Sequence, residues 1–531
     1  MRRIYLLDCT LRDGGYVNDW RFGSDTIKGF CKKIAKTGIE MLEVGFLKGD
    51  TFDEDRAVFP DLDSFRTMIE PKQENLLYVG MIDMSAPLPL DRIPPYDGTS
   101  VDMFRVIFKK DKLEEAYSYC EKLKKLGYIL SINFVGTDAY SDVEFVKGIE
   151  RFNELHPYAM AIVDSFGLIK RKHFLRLVHL ADNNMLPDIV LSYHAHNNLQ
   201  QAFGNAEALV EMNLKRDISI DACVFGMGRG AGNLNLELFA EYMNENYGTK
   251  YRIEPMLEIM DEYLNDIYQE RFWGYSLPYY LSASTGCHPN YAIYLAEKDT
   301  LSVKAFNELL SSIPKEHKAS FTKEKAEQFY MQYQENFIDD KATVIELAKE
   351  FTDRAVLILA PGNSLREYKD EIQEVIDRTN PIIVALNFIC SEYNVDYIFS
   401  SNMRRFCKIQ GNTDIRCIIT SNMKDCKYAS YVINYDSYTT KIPEIIDNSC
   451  LMLLKLLTEL GCKEVYLAGM DGYSVQQGNN YYDSELEYDF SSVADLRNEL
   501  IPRELCKYNK LMKLHMITPS VYNLELHKGN H

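Results

Sequence analysis

Several features that mark other classes of protein are missing from this chain. No two of its 12 cysteines stand in a CxxC pair, so neither a zinc ribbon nor a dense disulfide framework is indicated. No apolar run approaches the roughly 20 residues of a membrane span, and the basic start MRR leads into a strand pattern instead of a signal sequence. We therefore expect a folded, cytoplasmic protein whose cysteines are mostly small buried side chains.

The chain also has fewer basic than acidic residues. Lysine and arginine number 59 against 78 aspartate and glutamate residues, which gives a formal net charge of −19 at pH 7. Such an excess of negative charge repels phosphate backbones and anionic lipid surfaces. The composition therefore argues against nucleic acid and membranes as partners, and it leaves open whether the chain forms a homo-oligomer.

Alternating strand and helix patterns dominate the first half of the sequence. Short apolar runs are separated by amphipathic stretches, which is typical of βα units in a parallel sheet. The predicted strands start at Ile4, Ile39, Leu77, Val101, Tyr128, Ala159, Ile189 and Ile218. A proline-rich loop, APLPLDRIPPYDG, replaces the helix before the fourth strand. Eight such units within residues 1–250 predict an α/β fold, a (β/α)8 TIM barrel, with an open doubly wound sheet as the alternative.

Two further regions follow the predicted barrel. Residues 251–350 have a helical pattern with an aromatic, turn-rich insert, and we interpret them as a helical extension that caps the barrel. From residue 351 to 531 the alternation of strand and helix restarts, beginning with AVLILAPGNSL. We expect this last region to be a separate Rossmann-like α/β domain.

Polar residues at the predicted strand ends favour the barrel, because those ends form one rim where active sites gather. His194 and His196 are two positions apart in one strand, so their side chains point to the same side. Asp13 follows the first strand and could complete a site of one carboxylate and two imidazoles. Such donors suit a six-coordinate divalent ion, Mn²⁺ first, with Mg²⁺, Co²⁺ or Fe²⁺ as alternatives. Two ordinary histidines without a metal are the other interpretation.

Three neighbours of this predicted metal site suggest further chemistry. Arg12 keeps its charge at any working pH and could hold a carboxylate or a developing enolate oxygen, with Glu43 to fix it. Asn233 could add an amide oxygen to the metal. It ends the glycine-rich loop 226–233, GMGRGAGN, whose backbone amides could cradle an anion. An ordinary ion pair between Arg12 and Asp13, and a purely structural Glu43, are the alternatives.

In this order and spacing, the motifs LLDCTLRDGG, LEVGF, DSFG, HAHNN and GMGRGAGN resemble those of the DRE-TIM metallolyases. That family includes 4-hydroxy-2-oxovalerate aldolase, 3-hydroxy-3-methylglutaryl-CoA lyase, and the isopropylmalate and homocitrate synthases. The RDGG and HAHNN motifs look closest to the 4-hydroxy-2-oxovalerate aldolase branch. The resemblance covers the predicted barrel and the residues that follow it up to about residue 300.

The resemblance also implies roles for individual residues. The matching metal ligands are Asp13, His194, His196 and, as in the lyase branch, Asn233. Arg12 matches the arginine that stabilises an enolate, and Glu43 the glutamate that orients it. Ser165 of DSFG matches a position near the carboxylate of a 2-oxo acid.

One position departs from the aldolase pattern. The related aldolases have a histidine acid/base three residues after the metal aspartate, where this chain has Tyr16. An unperturbed phenol has a pKa of about 10 and is a poor base at neutral pH. Proton transfer could therefore fall to a tuned Tyr16, to a metal-bound water, or to His288 in the aromatic insert, and the change suggests a different substrate.

The C-terminal region contains two glycine turns at predicted strand ends. In LILAPGNSL, a strand, a small-residue turn and a helix follow one another as in phosphate sites at helix N-termini. This turn and the later LAGMDGYS resemble the nucleotide-binding domains of MptE-like (DUF115) and bacterial sialyltransferase-like proteins. The resemblance implies that a nucleotide or nucleotide-sugar would be faced by Gly362, Asn363, Ser364 and Asp471. A purely structural turn is the alternative.

These observations lead to one expected function and two alternatives. We expect a divalent-metal-dependent aldolase that joins pyruvate, a 2-oxo acid, to an aldehyde, or cleaves the product, with a link to cell-surface sugar biosynthesis. One alternative is an acyl-CoA Claisen-type synthase or lyase of the same superfamily. The other is a degenerate barrel that carries a functional nucleotide-binding domain.

Overall fold

A computed structural model describes residues 2–423, 426, 428–476, 478, 480–487 and 492–522. The chain divides into two compact units, Met1–Pro289 and Asn290–His531. The division into three domains at residues 250 and 350 stays a prediction. No helix within the described ranges combines the length and the apolar character that crossing a membrane requires.

The first unit is built around a closed barrel of parallel strands. The strands, with one short addition, are β1 (Ile4–Asp8), β2 (Met41–Leu47), β3 (Val58–Phe59), β4 (Leu77–Asp83), β5 (Met103–Phe108), β6 (Ile129–Phe134), β7 (Ala159–Asp164), β8 (Val190–Ala195) and β9 (Ile218–Ala222). The two-residue β3 pairs only with β2. The other eight strands follow chain order, and β1 pairs with both β2 and β9. The barrel therefore closes, which confirms the predicted TIM barrel over the open sheet.

Helices between the strands cover the barrel. They are α1 (Ser24–Ile34), α2 (Leu62–Ile69), α3 (Leu113–Lys125), α4 (Asp142–Asn153), α5 (Arg171–Asn184), α6 (Ala202–Glu211) and α7 (Leu236–Tyr247). Their apolar residues recur at helical spacing, as in α1, where Ile27, Phe30 and Ile34 are fully buried in the core. The connection from β4 to β5 has only a 3-10 turn, Leu90–Arg92, because its prolines do not support a helix.

Helices also fill the region predicted as an extension. In the first unit these are α8 (Glu254–Ile259), a π turn (Met260–Leu264), α9 (Asn265–Glu270) and α10 (Leu277–Thr285). Helix α11 (Pro289–Lys298) begins at the last residue of that unit. The second unit continues with α12 (Val303–Ser312), α13 (Lys315–Lys318), α14 (Lys323–Gln334) and α15 (Lys341–Phe351).

A second parallel sheet forms the centre of the C-terminal unit. Its strands are β10 (Ala355–Leu359), β11 (Ile382–Leu386), β12 (Tyr397–Ser400), β13 (Arg416–Thr420), β14 (Tyr431–Ile433), β15 (Glu464–Ala468) and β16 (Lys513–Met516). Their order is β14-β13-β12-β11-β10-β15-β16, so the winding reverses between β10 and β15. The helices are α16 (Ser364–Glu367), α17 (Lys369–Thr379), α18 (Met403–Ile409), α19 (Tyr435–Tyr438), α20 (Ser449–Glu459) and α21 (Ala494–Asn509). The predicted second α/β region is therefore confirmed.

Candidate metal centre

Three predicted metal ligands meet at the carboxyl ends of the barrel strands. Asp13 follows β1, while His194 lies in β8 and His196 just beyond it, two positions apart on one side of the strand. One ligand atom from each residue can be chosen so that all lie within 4.8 Å of one another. The Nε2 atom of His194 is 3.3 Å from Asp13 Oδ2, and the Nε2 atom of His196 is 3.6 Å from Asp13 Oδ1. All three side chains are buried, so the site is shielded from bulk water.

Asn233 lies beside the same point, and its side-chain oxygen is free to ligate a cation. Its Nδ2 group donates to Asp13 Oδ1 at 3.0 Å and to the Met227 carbonyl at 2.9 Å. Its Oδ1 atom is buried and has no hydrogen-bond partner among the described residues. Because burying an oxygen without a partner is costly, this atom is suited to ligate a cation. Together with a carboxylate and two imidazoles, it fits a six-coordinate divalent ion.

Glycines allow the chain to close around Asn233. A Cβ atom on Gly228 would lie 2.2 Å from Asn233 Nδ2, and one on Gly14 would lie 2.9 Å from the Met227 side chain. His196 and Asn233 also form an isolated antiparallel bridge. The close approach of these segments explains the glycines of GMGRGAGN and of RDGG, and a role of loop 226–233 as an anion cradle stays a prediction.

Arg12 lies in a buried group of opposite charges. Its Nε group donates to Glu43 Oε2 at 2.6 Å, and its Nη1 group donates to Asp13 Oδ2. Burial opposes the charged form of Arg12, but the carboxylates of Asp13 and Glu43 outweigh it and hold the arginine pKa above its ordinary value. Burial also disfavours the Asp13 carboxylate, yet Arg12 and the histidines hold its pKa well below the ordinary range. Arginine and aspartate therefore both stay charged at neutral pH.

Two buried residues that the sequence analysis did not select complete this charge network. Arg105 in β5 donates to Asp221 in β9, and its Nη1 atom is 3.3 Å from Glu43 Oε2. Asp221 Oδ2 lies 3.2 Å from His194 Nδ1. A carboxylate on one ring nitrogen fixes the tautomer and directs the other nitrogen to a metal. Asp221 therefore orients His194. The sequence signal for Arg105 and Asp221 was a charged residue within a mostly apolar strand.

The protonation of His196 suits a metal ligand. Burial lowers the pKa of this imidazole to about 4; the Asp13 carboxylate opposes the shift, and the positive charges of Arg229 and Arg12 add to it. The ring is therefore neutral at pH 7, and metal binding requires a neutral imidazole.

The two acid/base candidates have different surroundings. Burial raises the pKa of the Tyr16 phenol above its ordinary value, so this group keeps its proton at neutral pH. The Tyr16 ring packs edge-on against Trp20, with 4.8 Å between ring centroids. Burial lowers the pKa of His288 to about 4, and its ring contacts Phe166 at 5.1 Å. A role in proton transfer stays a prediction for both Tyr16 and His288.

Ser165 follows β7 and takes part in the loop structure. Its Oγ atom accepts a hydrogen bond of 2.9 Å from the Gly136 backbone amide. The preceding Asp164 accepts from the backbone amides of Leu168 and Ile169 at 2.8 and 2.9 Å. These bonds hold the DSFG turn in place, and contact between Ser165 and a substrate carboxylate stays a prediction.

The predicted nucleotide residues of the second unit lie in turns after β10 and β15. Ser364 donates to the Asp471 carboxylate through its hydroxyl and, at 2.9 Å, through its backbone amide. A Cβ atom on Gly362 would lie 2.6 Å from Asp471 Cγ, so only glycine permits this approach. Both turns border the reversal in strand order, where doubly wound folds bind ligands. Nucleotide binding by Gly362, Asn363, Ser364 and Asp471 stays a prediction, because Ser364 and Asp471 bind each other.

The family model and the curated relatives match the barrel half of the chain. Residues 3–261 match the family model described as HMGL-like. Oxaloacetate decarboxylase from Mycobacterium tuberculosis is 25% identical over 240 residues, which is 44% of this chain and 68% of that protein. 4-Hydroxy-2-oxovalerate aldolase from Serratia proteamaculans is 25% identical over 252 residues, or 44% of this chain and 69% of that protein. Among solved structures, HMG-CoA lyase from Bacillus subtilis aligns with 12% identity and a TM-score of 0.41, covering 50% of this chain and 94% of that one.

Proposed function

Residues 3–261 belong to the HMGL-like family of DRE-TIM metallolyases, and we propose that they form a divalent-metal-dependent aldolase that uses the enolate of pyruvate. The family assignment and the expectation of a carbon–carbon lyase are confirmed. The observation that carries the proposal is the buried triad Asp13, His194 and His196 with the charged Arg12 beside it.

The reaction needs only proton transfer and electrophilic assistance. Pyruvate loses a proton from C3, and the resulting enolate carbon adds to the aldehyde carbon to form the new bond. The aldehyde oxygen then takes up a proton, so the product is a 4-hydroxy-2-oxo acid, and the cleavage direction reverses each step. A divalent ion bound by Asp13, His194 and His196 would polarise the keto oxygen of the 2-oxo acid. No lysine Schiff base is required.

Arg12 supplies the second electrophile. Its guanidinium stays charged in the buried site, where its Nε group donates to Glu43 and its Nη1 group donates to Asp13. Fixed charged donors of this kind stabilise a developing oxyanion without reorganising during the reaction. In this proposal Arg12 binds the enolate oxygen, and Glu43 positions Arg12.

The proposal also includes the identity of the metal, the cellular location and the substrates. A set of one carboxylate, two imidazoles and an amide oxygen suits Mn²⁺, and Mg²⁺ or Co²⁺ would fit the same oxygen and nitrogen donors. Buried Asp13 is the residue that gives the site its negative charge. We place the activity in the cytoplasm, with pyruvate and an aldehyde as its small-molecule partners.

Exchange of the pyruvate methyl hydrogens tests the first step alone. The full chain is incubated with pyruvate and Mn²⁺ in D₂O, and deuterium at C3 is followed by NMR, with a chelator-treated sample as the control. We expect exchange that depends on the added metal. Absence of exchange with every divalent metal tried would overturn pyruvate enolisation.

Product formation separates the aldolase from its alternative. The same protein is offered pyruvate with acetaldehyde and other aldehydes, and separately with acyl-CoA thioesters. Condensation with aldehydes supports the proposal. Condensation with acyl-CoA alone would replace it with a Claisen-type synthase.

A further inference from the structure

Two positively charged side chains lie on an aromatic cluster at the rim of the barrel. We call this group the rim cluster; its members are Tyr16, Trp20, Phe46, Lys48 and Arg229. The Lys48 ammonium lies 4.5 Å from the Trp20 ring centroid and 4.3 Å from that of Phe46. The Arg229 guanidinium carbon lies 4.2 Å from the Tyr16 ring centroid. The three rings also contact one another, with centroid distances of 4.8, 5.4 and 6.1 Å.

The backbone places the rim cluster beside the proposed metal centre. Lys48 directly follows β2, and its backbone amide is fixed by a 2.9 Å hydrogen bond to the Phe59 carbonyl. Arg229 lies in the glycine-rich loop between β9 and Asn233. The charge of Arg229 is close enough to contribute to the lowered pKa of His196, after burial. The Phe46 ring that Lys48 contacts also lies 5.8 Å from the Arg12 guanidinium carbon, so both cations are linked through the rim cluster to residues beside the proposed metal centre.

Within the described part of the first unit, neither cation is paired with an acid. Residues 2–289 are all described, and among them no carboxylate oxygen lies within the 4.0 Å ion-pair distance of Lys48 Nζ or the Arg229 guanidinium. Asp83 and Asp19 influence Lys48 only at longer range. Asp83 Oδ1 accepts from the Ser85 amide at 2.8 Å, and Asp19 Oδ1 pairs with Arg56 at 2.8 Å. By contrast, the buried Arg12 and Arg105 each contact two carboxylates.

Half-buried cations without a counter-charge indicate an anionic ligand. Removing a charge from water is unfavourable unless another charge or dipole compensates it. Lys48 is half-buried, and this partial loss of solvent lowers the pKa of its ammonium. The aromatic rings compensate only in part, since a cation–π contact supplies about 0.5–2 kcal/mol. In a chain with a net charge of −19, such a pair of unpaired cations is a specific local feature.

We propose that Lys48 and Arg229 bind an anionic group, a carboxylate or a phosphate, carried by the aldehyde that adds to the pyruvate enolate. This inference rests on the proposed aldolase function and names its substrate class. The aldehyde is negatively charged, and the 4-hydroxy-2-oxo acid product has an anionic group at each end.

The rim cluster also gives Tyr16 a role. Its ring lies under the Arg229 guanidinium, with 4.2 Å between the guanidinium carbon and the ring centroid. Tyr16 is then a positioning residue that holds Arg229 over the site through a cation–π contact. A histidine at this position would offer a smaller ring that can itself become positively charged.

Matched pairs of charged and neutral aldehydes test the proposal. The pairs are 4-oxobutanoate with its methyl ester, and glyceraldehyde 3-phosphate with glyceraldehyde, each supplied with pyruvate and Mn²⁺. For the wild type we expect kcat/KM for one charged aldehyde to exceed that of its neutral partner by at least about tenfold, mostly through KM. The pair that shows the larger ratio identifies the anion as a carboxylate or a phosphate.

Substitutions assign the preference to the two cations. Lys48→Met and Arg229→Met should each lower the charged-to-neutral ratio by about tenfold, as expected for a partly buried ion pair. Arg229→Lys should restore part of the ratio. Lys110→Met is the control, because it removes an exposed rim lysine that pairs with Glu144 and lies outside the cluster.

Two variants of Tyr16 separate its ring from its hydroxyl group. Tyr16→Phe should keep the charged-to-neutral ratio, whereas Tyr16→Leu should lower it toward that of Arg229→Met. Loss of the ratio in both variants would contradict a purely cation–π role.

Pyruvate exchange in D₂O distinguishes failure of this inference from failure of the proposed function. Wild-type exchange with charged-to-neutral ratios near one in both pairs would overturn the anionic substrate and leave the aldolase intact. No wild-type exchange would overturn the aldolase and this inference with it. Equal ratios in wild type, Lys48→Met and Arg229→Met would show that another part of the chain selects the charge.

Discussion

Replacing Asp221 by asparagine tests the charge network below the metal site. The change keeps the shape of the side chain and removes one buried negative charge. His194 Nδ1, 3.2 Å from Asp221 Oδ2, then faces a neutral amide instead of a carboxylate. Arg105 loses its partner in β9 and keeps only Glu43, whose Oε2 atom is 3.3 Å from Nη1. The variant should therefore bind metal more weakly and be less stable.

The expected losses of metal affinity and of stability in Asp221→Asn can both be estimated. Loss of a partner that orients a metal-bound histidine typically weakens metal affinity by about 10- to 100-fold. Breaking a buried ion pair costs roughly 3–5 kcal/mol, and we expect the lower end because Glu43 still faces Arg105. Trp20 and Trp273 are the only tryptophans of the sequence, and both lie in the first unit. Tryptophan fluorescence during denaturant unfolding therefore reports on the barrel unit.

Metal titration by calorimetry and denaturant unfolding measure the two effects on the same protein. Asp182→Asn is the matched control, because Asp182 in α5 pairs with the buried Arg216 at 2.6 Å. The control should lose stability and keep its metal affinity. If Asp221→Asn binds Mn²⁺ as tightly as the wild type, Asp221 does not orient His194 and the reasoning is refuted.

Three further substitutions test other parts of the barrel. Burial raises the pKa of Asp8 from its ordinary 3.8 to about 7 in the folded chain. As the pH rises between these values, the unfolded chain loses this proton while the folded chain keeps it, so the free energy of unfolding falls. Between about pH 5 and about pH 8, the free energy of unfolding of the wild type should fall by about 3 kcal/mol relative to that of Asp8→Asn, as measured by tryptophan-monitored unfolding. If the difference between the two proteins does not change with pH, Asp8 is not a buried neutral acid. Gly15→Ala puts a Cβ atom 2.1 Å from the Trp20 ring and should cost about 1–3 kcal/mol in the same assay; full stability would mean that the segment relaxes freely. Arg12→Lys cannot reproduce the contacts to Glu43 and Asp13, and it should slow pyruvate C3 exchange by about 10²- to 10³-fold, whereas unchanged exchange would remove Arg12 from the chemistry.

The grouping of Asp13, His194 and His196 could be predicted from short sequence signals. The i, i+2 spacing of His194 and His196 fixes their common side, and the barrel rule brings strand ends together with Asp13. Arg105 and Asp221 could not be paired in this way, since they are 116 positions apart and meet only when the barrel closes. In the sequence each is only a charged residue within a mostly apolar strand.

The remaining differences have similar physical causes. The sequence showed that Tyr16 replaces a histidine, but its contact with Arg229 depends on how the glycine-rich loop folds back over the site. Strand β16, Lys513–Met516, was not predicted, because Leu514 is the one buried residue of this four-residue strand at the end of the sheet. Its pairing with β15 is decided by backbone hydrogen bonds that leave little trace in the residue pattern.

The central claim is that Asp13, His194 and His196 bind a catalytic divalent metal. Metal content by mass spectrometry and pyruvate C3 exchange, measured on the wild type, His194→Ala and the exposed-histidine control His179→Ala, test it most directly. We expect a bound divalent ion and metal-dependent exchange in the wild type and in the His179 variant, and loss of both in His194→Ala. Retention of the ion together with exchange in His194→Ala would contradict the claim, as would a wild type that binds no divalent metal.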